Sequence, residues 1–250
     1  MDTIFLSIII PSYDEMANLQ KGVLEKVKNF LDKKKFPYEV IVVDDGSRDG
    51  SAEFAKTFAK ENPSFSFIQN QHTGKAGAVT TGMLAAKGQY RLFTDMDQAT
   101  PIEEVDKLLP FFDKGFDVVI GSRKGKRKGS PLVRRFISRA NVILRTALVG
   151  LAEISDTQCG FKALSKESAE KIFTSLSKAH HGYQRISGSS ITSGFDVELL
   201  FLAEKFGYTI KEVPVEWLYV ETRRVNPVKD SFDGVLALLQ IRMNRFRGEY

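Results

Sequence analysis

Cysteine is nearly absent from this chain of 250 residues. Cys159 stands alone, which excludes a disulfide within the chain and fits a reducing compartment. Histidine is almost as scarce: His180 and His181 are adjacent and His72 is remote, without the spacing of a zinc site. No apolar stretch approaches the roughly 20 residues that a membrane-crossing helix requires. The first residues, Met1 to Ser7, lack the basic region and small-residue cleavage site of a signal peptide, so no leader is expected. Proline and glycine nowhere concentrate into a linker and no internal repeat is evident. One globular α/β domain over residues 1–250 is the expectation.

Charge is present but uneven. The net charge is +5, and the run from Arg123 through Lys124, Lys126, Arg127 and Lys128 to Arg134 and Arg135 contains no acid. Such a run suits anionic partners: phosphates, an anionic membrane surface or nucleic acid. It holds no aromatic residue between Arg123 and Arg135 on which bases could stack, and acidic residues elsewhere would repel a phosphate backbone, so nucleic acid is not an expected partner.

Apolar runs alternate with helical periodicity through the first half, the pattern of βα units and a mostly parallel sheet. The spacing predicts strands at Phe5–Ile10, Glu39–Val43, Ser66–Asn70, Arg91–Thr94 and Asp117–Ile120. Helices are predicted at Glu15–Leu31, Asp49–Lys60, Lys75–Ala86 and Ile102–Phe112. Ile8 to Ile10 and Val40 to Val43 are continuous β-branched runs, as expected of strands covered on both faces. In the second half, Pro131–Val149 is strongly periodic, with Arg134, Ser138, Asn141 and Arg145 forming one polar stripe. Ser165 is expected to cap a helix through Phe173, and His180–Gly194 reads as a Gly/Ser-rich loop. Phe195–Phe206 reads as helix and Thr209–Trp217 as extended. Ser231–Phe246 reads as a last helix with an apolar face and late arginines.

The chemistry concentrates at strand ends. Leu92-Phe-Thr-Asp95-Met-Asp97 is an apolar run closing on two aspartates one residue apart; if it is a strand, both carboxylates face the same way. Such a pair suits a hard divalent cation that keeps open positions for substrate phosphates. The turns Pro11-Ser-Tyr13-Asp-Glu15 and Asp44-Asp45-Gly-Ser-Arg-Asp49 place further carboxylates at strand ends, the edge where open α/β sheets bind ligands. The second turn is equally consistent with plain turn chemistry and helix capping. His72-Thr-Gly74-Lys75-Ala-Gly77 is a glycine-bearing helix start. Its amides and the Lys75 ammonium would favour a phosphate, although it is not a Walker loop.

These segments occur in a fixed order with Gly121-Ser-Arg123, Asp156-Thr-Gln158-Cys-Gly-Phe-Lys162 and Phe195-Asp196-Val-Glu198-Leu199. Over nearly its whole length the chain thereby resembles glycosyltransferase family 2, in particular the polyprenyl-phosphate branch nearest the dolichyl-phosphate β-glucosyltransferases. The resemblance implies a GT-A fold, a Rossmann-like mixed, mostly parallel sheet with helices on both faces. It also implies a nucleotide-sugar donor, a Mg²⁺ or Mn²⁺ ion and inversion at the anomeric carbon. On these positions it puts Pro11, Tyr13, Glu15, Asp44, Asp45 and Lys75 around the donor, and Asp95 and Asp97 on the metal and diphosphate. Arg123, Arg134, Ser138 and Arg224 are placed on the acceptor phosphate. Related mannosyltransferases carry a glutamine as a further metal ligand where this chain has Ala99, with Gln98 one position early. The N-terminal anchor usual among the glucosyltransferase relatives is not seen.

The expected acceptor is a polyprenyl phosphate, with UDP-glucose the favoured donor and GDP-mannose the alternative. A phosphate monoester, with a second pKa of about 6, is already ionised at neutral pH and needs no general base. The helices at 131–150 and 230–247 are candidates for lying on a membrane surface, which gives an enzyme peripheral to the cytoplasmic face. A competing reading keeps the donor site but transfers to a glycan or protein hydroxyl, with Asp196 or Glu198 as base.

Overall fold

A computed structural model describes residues 3–123, 146–184, 194–218 and 227–250, with side chains from residue 234 onward in the last of these segments. Seven strands form a single sheet: β1 (Leu6–Ser12), β2 (Tyr38–Asp44), β3 (Phe65–Gln69), β4 (Tyr90–Phe93), β5 (Val118–Ser122), β6 (Lys162–Ser165) and β7 (Ile210–Pro214). Their spatial order is β3-β2-β1-β4-β6-β5-β7. The first four strands are parallel, β6 runs antiparallel to both β4 and β5, and β7 is parallel to β5. The mixed, mostly parallel α/β architecture is therefore the one anticipated.

The helices are α1 (Met16–Leu19), α2 (Val23–Leu31), α3 (Ser51–Glu61), α4 (Gly74–Ala85), α5 (Val105–Leu108), α6 (Lys166–Ala179), α7 (Phe195–Lys205) and α8 (Pro227–Arg247). They bury apolar side chains on both sheet faces. Ile9, Ile41, Val43 and Phe93 pack with α4, α6 and α7, while Ile8, Ile10, Val40 and Leu92 pack with α2, α3 and α5. The uninterrupted β-branched runs are thus inaccessible on alternate residues from both sides, as their composition requires.

Three expectations are corrected. The single helix Glu15–Leu31 is two, because Gly22 at φ +74° takes a left-handed conformation that stops one helix before the next begins. Ile102–Phe112 is not one helix either: α5 is flanked by two 3₁₀ turns, with Pro110 in the second. The strand β6 was not anticipated at all; Lys162–Ser165 is short, and Lys162 at its start disguises a fully buried element. Ser165 does cap α6, its side chain accepting from the Ser168 amide at 3.3 Å, but the helix runs on to Ala179. The basic run after Arg123, most of the Pro131–Val149 helix including Arg134 and Ser138, most of the His180–Gly194 loop, and Arg224 lie outside the described residues.

Candidate active site

Three strand ends meet along the carboxyl edge of β2, β1 and β4, where the order of the sheet departs from sequence order. At β2, Asp45 is nearly inaccessible and fully engaged. It accepts from the amides of Thr73 (2.8 Å) and Gly74 (2.7 Å), from Asn70 Nδ2 (3.2 Å), and faces His72 Nδ1 (3.1 Å). Two amides of the helix start anticipated as a phosphate seat, those of Thr73 and Gly74, are therefore already occupied by a protein carboxylate. His72 lies against the Tyr13 ring, centroids 4.4 Å apart and nearly parallel, so Asp45 fixes an aromatic pair at the end of β1. Gly46 (φ +85°) turns beneath the histidine.

Asp44 is wholly buried and turns inward, accepting from the Gly46 and Ser47 amides. It shapes the turn through Oδ2, while its buried Oδ1 has no hydrogen-bond partner among the described residues. Pro11 and Glu15 are half-buried at the same edge. The Glu15 carboxylate accepts from Asn18 Nδ2 at 2.6 Å.

The central carboxylates follow β4, not within it. The strand ends at Phe93, so the alternation of a strand does not account for Asp95 and Asp97; they flank a turn whose buried middle residue, Met96, anchors it. The Ala99 amide donates to Asp97 Oδ1 at 3.0 Å. Gln98, at φ +49°, turns its side-chain amide onto the Asp95 carbonyl at 3.0 Å. Burial and the neighbouring Asp95 charge push the Asp97 carboxyl up.

Lys75, in the first turn of α4, pairs with Asp95 Oδ1 at 2.5 Å. Burial would lower its pKa, but Asp95, Asp196 and Asp97 together hold the ammonium above the ordinary lysine value. Behind Asp95 sits Gly160, where a Cβ would come within 2.1 Å of Asp95 Oδ2. This close approach is why glycine stands there. Two half-exposed carboxylates, one cradled by glycine and one held by a backbone amide, fit a hard cation that takes its remaining ligands from water and substrate phosphate. Among the described residues no third acidic, histidine or cysteine side chain joins them.

The opposite wall comes from the second half of the chain. Arg123, just past β5, makes a bidentate pair with Asp156: Nε and Nη2 each donate at 2.8 Å, and its amide donates at 2.9 Å. This bond and Coulomb attraction raise the guanidinium and, against the opposing effect of burial, lower the Asp156 carboxyl. Glu212 of β7 accepts in turn from the Asp156 amide. Although burial opposes it, bonds from Ser155 and Asp156 bring the Glu212 carboxyl down to about 2. Trp217 lies 5.9 Å from the guanidinium, beside a chain segment fastened to the metal turn by Leu218 N donating to Ala99 O at 2.7 Å. An open depression lies between Asp95, Thr100, Arg123, Gln158, Gly160 and Trp217.

The two acids of the Phe195–Leu199 motif part company. Asp196, at the start of α7, pairs with the fully buried Lys162, whose ammonium also donates to the Cys159 carbonyl at 2.5 Å. Glu198 is not brought to this cleft; it is bonded by His180 Nε2 at 2.7 Å and by the Tyr250 hydroxyl. Residues two apart on a helix point about 200° apart, so the motif could not aim both acids at one site.

The structure therefore gathers Tyr13, Asp45, Lys75, Asp95, Asp97, Arg123, Asp156, Gln158 and Asp196 along one edge, with Asp44 buried beneath it, and leaves Glu198 away from it. Sequence reasoning overlooked His72, Gly160, Lys162 and Trp217. Three of them lay inside quoted motifs, and Trp217 is the chain's one tryptophan, at the end of its last extended segment.

Comparison with known proteins places the chain in a family. The model of Glycosyl transferase family 2 matches residues 7–173. A dolichyl-phosphate beta-glucosyltransferase of Dictyostelium discoideum is 30% identical over 99% of this chain and 77% of its own length. One from Drosophila melanogaster is 34% identical over 89% and 69%. Among solved structures, mannosyl-3-phosphoglycerate synthase from Rubrobacter xylanophilus superposes with a TM-score of 0.68 at 16% identity, covering 99% of this chain and 76% of that one. The mannosyltransferase PcManGT from Pyrobaculum calidifontis, in complex with GDP-Man and Mn²⁺, gives 0.59 at 19% identity, covering 97% and 64%. These neighbours share the GT-A fold.

Proposed function

Because this chain belongs to glycosyltransferase family 2, we propose that it transfers a hexose from a nucleotide sugar to a polyprenyl phosphate of the dolichyl type, with inversion at the anomeric carbon. Glucose from UDP-glucose is the favoured donor, in line with the names of the relatives, and GDP-mannose the alternative. Asp95 and Asp97 would hold a Mg²⁺ or Mn²⁺ ion, whose chemistry when bound is to neutralise the departing diphosphate. Tyr13 on His72, fixed by Asp45, offers a flat wall for the base. The open depression beside Asp95 is where the sugar would sit, between Gln158 and Trp217.

One observation carries the choice of a phosphate acceptor over a hydroxyl. A hydroxyl must lose a proton, yet neither acid of the Phe195–Leu199 motif is set to take it. Asp196 is held in an ion pair by the buried Lys162 ammonium, and Glu198 is bonded elsewhere, to His180 and Tyr250. A phosphate monoester arrives ionised, so the protein need only hold two anionic groups close together, a task for cations. Arg123 contributes through the face that Asp156 does not engage, while Arg134, Ser138 and Arg224 remain proposed acceptor-phosphate ligands.

Among the described residues no helix is long and apolar enough to cross a membrane. We place the enzyme on the cytoplasmic face of an anionic membrane through α8, whose Leu236, Leu239, Met243 and Phe246 are exposed beside Arg242, Arg245 and Arg247. The test of function is a panel of nucleotide sugars with Mn²⁺ and a short polyprenyl phosphate, scored for lipid-linked product. Product with UDP-glucose is expected. Transfer to a glycan or peptide hydroxyl, with none to any polyprenyl phosphate, would overturn the acceptor assignment.

A further inference from the structure

Two lysines face the carboxylates of the cleft, and they differ in one respect. Lys162 has a side chain with no exposure, bonded at once to Asp196 and to the Cys159 carbonyl, so it cannot leave its place. Lys75 is about one-third exposed; its ammonium pairs with Asp95, and its four methylenes rise from the first turn of α4 at the cleft's rim. Its ammonium sits against the carboxylate oxygen that a divalent cation would take. Both cannot occupy that oxygen closely, because like charges repel and Asp95 cannot retract: Gly160 stands directly behind it.

We propose that Lys75 is a displaceable internal cation that couples metal binding to donor binding. This rests on the functional reading above. With the cleft empty of ligand, Lys75 neutralises Asp95. When a divalent ion takes Asp95 and Asp97, the ammonium is released toward the donor diphosphate. Conversely, a diphosphate that draws Lys75 away leaves Asp95 open to the ion. The coupling is reciprocal by thermodynamic necessity, so each ligand must tighten the other beyond their direct contact. The Thr73 and Gly74 amides cannot serve in its stead, since Asp45 already holds them.

The experiment measures Mn²⁺ binding to the full chain by electron paramagnetic resonance of free Mn²⁺, with and without UDP or GDP, for the native protein, Lys75→Met and Lys75→Arg. Without nucleotide, Lys75→Met should bind Mn²⁺ roughly fivefold more tightly, the scale of a partly exposed ion pair. The factor by which UDP tightens Mn²⁺ binding should shrink about fivefold in the same variant. Lys75→Arg, which keeps the charge, should stay near the native values, and circular dichroism should show all three folded. An unchanged or weaker nucleotide-free Mn²⁺ affinity in Lys75→Met overturns the proposal. So does tighter Mn²⁺ binding with an undiminished UDP factor, which would make Lys75 only a nearby charge. If native protein shows no nucleotide-dependent Mn²⁺ binding with UDP or GDP, the functional reading falls as well; if it does and Lys75→Met behaves like the native chain, the reading stands and the coupling alone fails.

Discussion

Asp95 leans on the one residue behind it that has no side chain. A Cβ at Gly160 would lie 2.1 Å from Asp95 Oδ2, far inside van der Waals contact, so Gly160→Ala must push the carboxylate out of place or shift its own strand connection. Because Asp95 is partly exposed, the side chain is the part that gives way. The expected result is at least tenfold weaker Mn²⁺-dependent UDP binding by calorimetry, on the scale of a displaced ligand shell, with little change in melting temperature. Asp196 fails differently. Asp196→Ala leaves the Lys162 ammonium buried with a single carbonyl partner, a loss of about 3 kcal/mol, measurable by urea unfolding. Asp196→Asn keeps an oxygen acceptor and should fall between that variant and the native chain.

At the level of elements, the sequence was most legible where periodicity and punctuation agree. The β-branched runs of β1 and β2 left no alternative to buried parallel strands, and Ser165 announced the start of α6. It was least legible where a local signal was overruled by tertiary placement. Lys162 opens β6 because a half-buried acid and a carbonyl await its ammonium, partners that no local pattern displays. Asp95 and Asp97 were found by composition but for the wrong geometric reason, since a turn pinned by Met96, and not strand alternation, presents them. Arg123 was visible as a cation, whereas its bidentate bond to Asp156, which takes up part of its phosphate-gripping capacity, was not.

The last helix carries its own prediction. Phe246 is 78% exposed with Arg242 against its ring at 5.6 Å, an arrangement that suits the proposed contact with a headgroup layer. Leu239→Glu with Phe246→Glu should abolish co-flotation with vesicles containing phosphatidylserine while leaving UDP–Mn²⁺ binding unaltered. Retained flotation would place the membrane contact elsewhere.

Across the whole molecule, a buried polar junction ties the second half to the end of the chain. Glu198 of α7 joins His180, at the end of α6, to Tyr250; Gly194, at φ +105°, packs so closely on Ala237 of α8 that a Cβ there would come within 2.4 Å. The bond from Glu198, outweighing burial, raises the His180 pKa above its ordinary 6.5, while burial and Glu198 raise that of the Tyr250 phenol. A histidine raised on folding contributes its full stability below 6.5 and loses it as pH climbs through the elevated value. Unfolding free energy should therefore decline from pH 6 toward alkaline pH, and His180→Gln should flatten that decline over the same interval. An equal slope in both proteins would remove the histidine from the account.

The antiparallel placement of β6 has a further consequence, during synthesis. β4 bonds to β1 on one side and to β6 on the other, yet β6 is translated only after β5 and the long excursion that follows it. A nascent chain that has already assembled its first four strands therefore holds an open row of amides and carbonyls along Tyr90–Phe93, next to two of its most apolar side chains. Such an edge invites pairing with a neighbouring chain. The half-made chain therefore carries an unpaired strand edge until Lys162–Ser165 closes the gap.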